Sequence, residues 1–353
     1  MNRRLFLRIA TALVAVACIL ITTGVLSAQS RGANGLDRAL AAQEQHTRDL
    51  MAKPGVVGTA VGLGDDGNPA VLVLLEHGNV AGIPARVDGV KVKKLVTGKI
   101  YALPKGGKPD KPEKPGGGKP GGGDKINPKK RCERPVPIGV STGNEGECSS
   151  GTIGCRVVND SGTYALSNNH VYALENNAAP DSRVLQPGRY DAKPPCTLKE
   201  ADVIGNLYAY VPMDFAEDGS NVVDAAIAEC TTDMLGNATP PDGYGIPGST
   251  AVPAVIEMSV QKYGRTTGLT SGTVIGVNAY SWVTYSTGSA YFVDQIIIGG
   301  SSFSSSGDSG SLIVTNDDKC SPVGLLFAGS STYTIANRID LVLSELGVTI
   351  DGK

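Results

Sequence analysis

The strongest constraint on this chain is a rhythm that begins near residue 131 and runs to residue 353. Short apolar runs alternate there with clusters of Gly, Ser, Asn and Pro. The runs are Gly151–Val158, Thr163–Ser167, Val203–Val211, Val222–Ala228, Gly272–Val277, Tyr291–Ile298, Gly310–Val314 and Val323–Ala328. They have strand length and β-type composition, and no helical segments alternate with them. A βαβ architecture is therefore excluded, and an all-β barrel or sandwich is predicted. Only the end, from about Ala336 to Leu346, carries apolar residues at helical spacing: Ile339, Leu341, Leu343 and Leu346. The high glycine content, 46 residues, and the low aromatic fraction of 5% fit many short strands joined by turns.

The residues before this region divide into three parts. Arg3, Arg4 and Arg8 precede an apolar stretch from Ile9 to about Leu26, followed by the small residues Ser27 and Ala28. Residues 1–28 read as a cleaved export leader, and the chain as secreted or periplasmic with no stable membrane span once the leader is gone. Asn2–Arg8 is similar to a twin-arginine signal, and the choice between that route and the general secretory one stays open. The apolar run is also as long as a spanning helix, so an uncleaved anchor is the alternative. Residues 35–103 are predicted to form a small α+β unit. A helix is expected from Leu36 to about Met51. A hairpin follows, from Val56–Val61 and Ala70–Leu75 around the turn Gly64–Pro69, and Val87–Val96 is a candidate third strand. Residues 104–130 are almost wholly Lys, Gly, Pro and Asp. With almost nothing apolar to bury, they are predicted to be a disordered linker open to proteolysis.

Charge and cysteines narrow the function. The charged fraction is 19% and the net charge −2, which gives no electrostatic basis for binding nucleic acid. Six cysteines remain after the leader: Cys132, Cys148, Cys155, Cys196, Cys230 and Cys320. An even number in an exported chain predicts disulfides, with the pairing left open. Metal ligation would need clustered Cys and His; there is no CxxC pair, and no metal or cofactor is expected.

Three stretches carry candidate chemistry. Ser304–Ser311, which contains Gly307-Asp308-Ser309-Gly310, precedes the apolar strand Leu312–Val314. Glycines on both sides of Asp308-Ser309 permit the tight loop that presents a nucleophilic hydroxyl, and the N–H groups of Gly307 and Ser309 could then face an oxyanion. A plain Gly/Ser turn is the bland alternative. Tyr164–Val171 runs from an apolar strand into Asn168-Asn169-His170. The other histidines, His46 and His77, lie in the N-terminal unit, so any Ser–His mechanism of the β-rich region must use His170. Asp224 sits inside the apolar run Val222–Ala228. A carboxylate buried there needs a hydrogen-bonding task, and orienting His170 is one. Asp202 is its rival, with a shorter apolar flank.

The order His170, Asp224, Ser309 and the Gly-Asp-Ser-Gly loop resemble the chymotrypsin-like serine peptidases. Lys262–Val274 further resembles secreted bacterial members such as alpha-lytic protease and the streptogrisins, which are made with an N-terminal pro-region. The resemblance covers roughly residues 150 to 345 and is carried by these short motifs. It implies two packed six-stranded antiparallel barrels with the site between them and a helix at the C-terminal end. It also implies a polypeptide substrate. His170 would be general base and then general acid, Asp224 would hold its tautomer, and Ser309 would form an acyl-enzyme.

The resemblance sets further expectations. A buried Asp308 needs a cationic partner, Lys262 or Arg265. Phe303, Phe327 and Gly329 are expected at the substrate-binding walls, and the lack of an acidic pocket base implies a small or apolar preference. Residues 35–103 become a pro-region or inhibitor, or else an independent binding domain. Two departures stand out: Asn168 and Asn169 occupy positions usually held by small residues, and Phe327 stands where serine is usual. They keep alive a catalytically inactive binding module on the same fold.

Overall fold

The computed structural model describes residues 35–102, 105–106, 126–300 and 302–353. The export leader and most of the predicted linker lie outside the described residues.

The chain opens with helix α1 (35–51), which buries Ala39, Ala42, Gln43, Thr47 and Leu50 along one face. Strands β1 (Val56–Leu63) and β2 (Pro69–Leu75) form the predicted hairpin. After β3 (Arg86–Val87), β4 (Val90–Val96) lies parallel to β2. Short strands β5 (Tyr101–Ala102) and β6 (Lys105–Gly106) follow.

The β-rich region makes two barrels. The first contains β7 (Ser141–Asn144), β8 (Ser149–Thr152), β9 (Cys155–Asn159), β10 (Gly162–Ser167), helix α2 (Asn169–Tyr172), β11 (Arg183–Leu185), β12 (Val203–Tyr210) and β13 (Ala226–Cys230). Pairing runs β9-β10-β13-β12-β11-β7-β8. Only Ile153 and Gly154 separate β8 from β9, so these two act as one bent strand and the chain itself closes a six-stranded ring. The second contains β14 (Ser259–Gly264), β15 (Gly268–Thr284), β16 (Ser289–Gly299), β17 (Leu312–Thr315), β18 (Pro322–Gly329) and β19 (Tyr333–Arg338). Its ring, β14-β17-β18-β19-β16-β15, closes through the β14–β15 pairing. Helix α3 (Ile339–Leu346) ends at Gly347 in the left-handed region, and β20 (Thr349–Ile350) returns the chain to β9 of the first barrel.

The α+β unit does not stand apart from the barrels. β1 pairs antiparallel with β15, with Gly58 opposite Ser281 and Gly62 opposite Gly276. A Cβ at Gly62 would lie 2.4 Å from the Ile275 carbonyl, so glycine permits the close approach. β2 is buried on both faces. Val71, Val73 and Leu75 face α1, whereas Leu72 and Leu74 share a core with Ala279, Val283, Ile297 and Phe327 of the second barrel. That two-sided burial explains the unbroken apolar run of β2.

Two sequence expectations need correction. The helix predicted from Ala336 begins at Ile339, because Ala336 and Asn337 pair across to Ile296 and Leu325 as part of β19. The expected set of disulfides reduces to Cys148–Cys196, with Cα atoms 5.0 Å apart. Cys132, Cys155, Cys230 and Cys320 are free and buried, serving as small core residues. Burial pushes their thiols up, that of Cys230 to about 12. Among the described residues, no helix is long and apolar enough to cross a membrane.

In a chain starting after residue 28, none of these four thiols should react with a disulfide reagent until the protein unfolds. All four should react in denaturant without reductant. Fewer than four reactive thiols in denaturant would mean that further bridges exist.

Candidate active site

The site lies where α2, the chain leading into β13, and the loop before β17 meet. β10 leaves the first barrel at Ser167, whose hydroxyl donates to the Thr152 carbonyl at 2.8 Å. The next two residues fasten the turn into α2. Asn168 Nδ2 donates to the Asp224 carbonyl at 2.8 Å. Asn169 Nδ2 donates to Val211 O and to Asn176 Oδ1, each at 2.8 Å. The asparagines that departed from the family pattern are thus structural ties. They hold the chain around His170, including Leu174, Glu175 and Asn176, which all adopt positive φ.

His170 and Asp224 meet in full burial. His170 Nδ1 lies 2.5 Å from Asp224 Oδ2, and the His170 N–H donates to Asp224 Oδ1 at 3.1 Å. A carboxylate only accepts, so this pairing requires the proton on Nδ1; in the neutral imidazole the lone pair is then on Nε2. Tyr285 Oη donates to the same Asp224 Oδ2 at 2.9 Å. The Asp224 N–H donates to Asn337 Oδ1 at 3.0 Å, and Asn337 Nδ2 donates to Gln295 Oε1 at 2.7 Å. Asp202, the rival acid, is buried elsewhere and pairs with Arg131 at 3.1 Å.

Ser309 sits in a loop flanked by Gly307 (φ 97°) and Gly310 (φ 92°). A side chain at Gly310 would collide with Ser167 Oγ at 2.2 Å, so the two barrels touch here through glycine. The Ser309 carbonyl accepts from the Thr152 N–H at 2.7 Å. Gly151 ties the neighbourhood together, since a Cβ there would contact both Val171 and the Ser309 carbonyl. The Ser309 hydroxyl donates to the Phe327 carbonyl at 3.5 Å, and His170 Nε2 has no hydrogen-bond partner among the described residues. The N–H groups of Gly307 and Ser309 likewise donate to no other group among the described residues. His170 and Ser309 are both buried, so their cleft is closed in this conformation.

The loop is braced by buried charge. The Asp308 carboxylate accepts from Thr266 N–H at 2.8 Å, Thr267 Oγ1 at 2.7 Å and Ser305 N–H at 2.9 Å. Lys262 Nζ lies 3.6 Å from it. Burial pulls the Lys262 ammonium below its ordinary value, and Asp308 opposes that shift. Arg265 pairs instead with Asp191, through Nε to Oδ2 at 2.7 Å and a second contact to Oδ1.

The expected wall residues divide. Phe303 is wholly buried beneath Lys262 in the second-barrel core. The Phe327 ring packs on Phe292, 4.7 Å between centroids, so only its backbone faces the site. Ser304–Ser306 and Gly329–Ser331 line a cavity of about 640 Å³, closed on another side by Tyr101 and Ala102. Sequence reasoning missed Tyr285, Glu175, Asn337 and Asp191, because each acquires its role only through long-range pairing. No group of three or more His, Cys, Asp or Glu side chains that could hold a metal ion occurs among the described residues.

Two packed six-stranded barrels with a C-terminal helix define the chymotrypsin-like serine-peptidase fold, and this chain has it. The family described as the Nal1 C-terminal domain matches residues 222–342, which include Asp224 and Ser309 but not His170. No curated protein matches the chain. Among solved structures, a glutamic-acid-specific serine protease is 21% identical at a TM-score of 0.44, over 61% of this chain and 100% of that one. Protease A of Thermobifida fusca is 17% identical at 0.45, over 62% and 99%. A homologue of alpha-lytic protease is 18% identical at 0.43, over 61% and 98%.

Lys262→Met would leave Asp308 without its cation. The expected loss of stability is about 3 kcal/mol or more in denaturant unfolding, as for other broken buried pairs. A loss below about 1 kcal/mol would show that the loop's own donors satisfy Asp308 without Lys262.

Proposed function

We propose that the protein is an exported serine endopeptidase acting through Ser309, His170 and Asp224. One observation carries the reading: the buried His170–Asp224 pair leaves Nε2 without a partner among the described residues, and Gly151 packs against both Val171 and the serine loop, whose Gly307 and Ser309 N–H groups donate to nothing there. Ser309 Oγ would pass its proton to His170 Nε2 as it bonds to the substrate carbonyl carbon. The oxyanion would then face the N–H groups of Gly307 and Ser309. His170 would return the proton to the leaving amine as the peptide bond breaks, giving an acyl-enzyme and a free amine. Water would attack that ester, again losing a proton to His170, and release the acid and Ser309. Among the described residues, the cavity at Ser304–Ser306 is lined by hydroxyls and Lys99 and by no acidic side chain, which supports a substrate residue that is small or apolar rather than cationic.

Residues 35–103 act in this reading as a pro-region. β5 pairs antiparallel with β18, Ala102 opposite Ala328 and Tyr101 opposite Gly329. An extended peptide substrate would add to that same strand edge, so β5 and substrate exclude one another. The turn of the Ser309 hydroxyl toward Phe327 O favours the second reading, a binding module without catalysis. Catalytic hydrogen bonds commonly tighten only when substrate is bound, so the first reading stands ahead.

A serine-directed fluorophosphonate should label the chain, and Ser309→Ala should abolish labelling and reduce casein hydrolysis by about 10⁴-fold or more. Equal labelling of both proteins removes Ser309 as nucleophile. No labelling of either, with none in a chain whose β5 is displaced from β18, favours the binding module.

A Tyr101→Pro, Ala102→Pro variant cannot donate from β5 to β18 and should raise casein hydrolysis about tenfold, the worth of one or two weak backbone bonds. Unchanged hydrolysis would show that β5 does not compete with substrate.

A further inference from the structure

We propose that Tyr285 is a positioning residue for the Asp224–His170 pair, its hydroxyl taking over a task that Phe327 cannot perform. The inference rests on the peptidase reading above. Asp224 Oδ2 receives His170 Nδ1 and Tyr285 Oη, while Oδ1 receives the His170 N–H. Without Tyr285, both carboxylate oxygens would depend on His170 alone, through its N–H and its ring, and nothing outside that residue would fix where Oδ2 sits. The family resemblance places serine, a hydroxyl donor, at position 327. Phenylalanine has no donor, and its ring points into the core against Phe292.

The phenol is held from several sides. Its ring meets His170 edge-on at 5.8 Å, Phe215 at 5.7 Å and Phe292 at 6.1 Å. Burial and the neighbouring Asp224 charge push its ionisation well up, so it remains a donor. The backbone is fixed by a tight turn, with the Tyr285 N–H donating to Gly288 O at 2.7 Å.

Glu175 grips the tip of that turn. One carboxylate oxygen accepts from Ser286 N–H and Oγ at 3.1 and 2.8 Å. The other accepts from Thr287 N–H and Oγ1 at 2.8 and 2.6 Å. Glu175 lies five residues after His170, in the loop at positive φ described above. The segment that carries the histidine therefore also sets the height of the hydroxyl that orients its acid. The clamp joins the first barrel to the β15–β16 turn of the second.

The test uses the full exported chain, with Tyr285→Phe, which keeps the ring, and Glu175→Ala, which releases the turn. Fluorophosphonate inactivation is read as a limiting rate and a half-saturating concentration. Tyr285→Phe should lower the limiting rate about 10- to 100-fold with the half-saturating concentration unchanged, and Glu175→Ala should lower it less. In a Ser309→Ala background, the deshielded proton of His170 Nδ1 should move downfield in proton NMR when Tyr285 becomes Phe, because the carboxylate charge then concentrates on the imidazole. Wild-type limiting rates in both variants, with the resonance unmoved, would overturn the proposal. If neither the wild-type chain nor the chain carrying Tyr101→Pro and Ala102→Pro is labelled, the peptidase reading falls, and the resonance alone decides whether Tyr285 orients Asp224.

Discussion

A carboxylate buried against an imidazole is the costly element around which this structure is arranged. Asp224 is fully buried, and removing such a charge from water costs several kcal/mol unless donors surround it. The chain supplies three donors to its oxygens, from the backbone and ring of His170 and from Tyr285. The backbone on either side is tied as well, through Asn168 at the carbonyl and Asn337 at the N–H. His170 and Asp224 both belong to the first barrel, whereas Tyr285 and Asn337 come from the second, so the full set of partners is assembled only when the barrels are docked. Two further pairs of buried ions follow the same logic. Lys262–Asp308 stiffens the serine loop, and Arg265–Asp191 joins that loop's neighbour to the first barrel.

The N-terminal unit enters this arrangement as more than an appendage. β1 extends the β15 edge, and β5 lies between Thr284 of β15 and the end of β18. The Thr284 N–H donates to the Ile100 carbonyl at 2.9 Å, one residue before Tyr285. The segment on the β18 edge is therefore in direct contact with the hairpin that orients Asp224. Loss of β5 would both open the edge and free one support of the turn, and Glu175 remains as the support internal to the barrels. Edge strands left bare invite pairing with other chains, so β1 also protects the long β15.

Residues whose roles are local were legible in the sequence. The glycines around Asp308-Ser309 announced a tight loop, and the apolar flank of Asp224 announced its burial. Asp202 illustrates the limit: it too is buried, but Arg131, remote in sequence, answers its charge. The hairpin of β1 and β2 was readable from its turn residues, whereas its attachment to β15 was not. β15 is half-exposed and rich in Thr, Ser and Gly along 17 residues, and the one run read in it, Gly272–Val277, covers only its middle and names no partner. Lys262 and Arg265 stand three residues apart in one motif, and only the folded geometry sends one to Asp308 and the other to Asp191. Cysteine parity misled because four thiols pack as core residues in separate places. Tyr285 was invisible because its meaning depends on the length of a hairpin and on a phenylalanine 42 residues further on.

The account asks three distant side chains to act on one carbonyl. A crystal structure of the chain bound to a peptide boronic acid tests this most directly. The account expects boron bonded to Ser309 Oγ, one boronate oxygen within hydrogen-bonding distance of the Gly307 and Ser309 N–H groups, and His170 Nε2 on the other. Boron elsewhere, or bonded to Ser309 with His170 turned away and Asp224 no longer its partner, would contradict it.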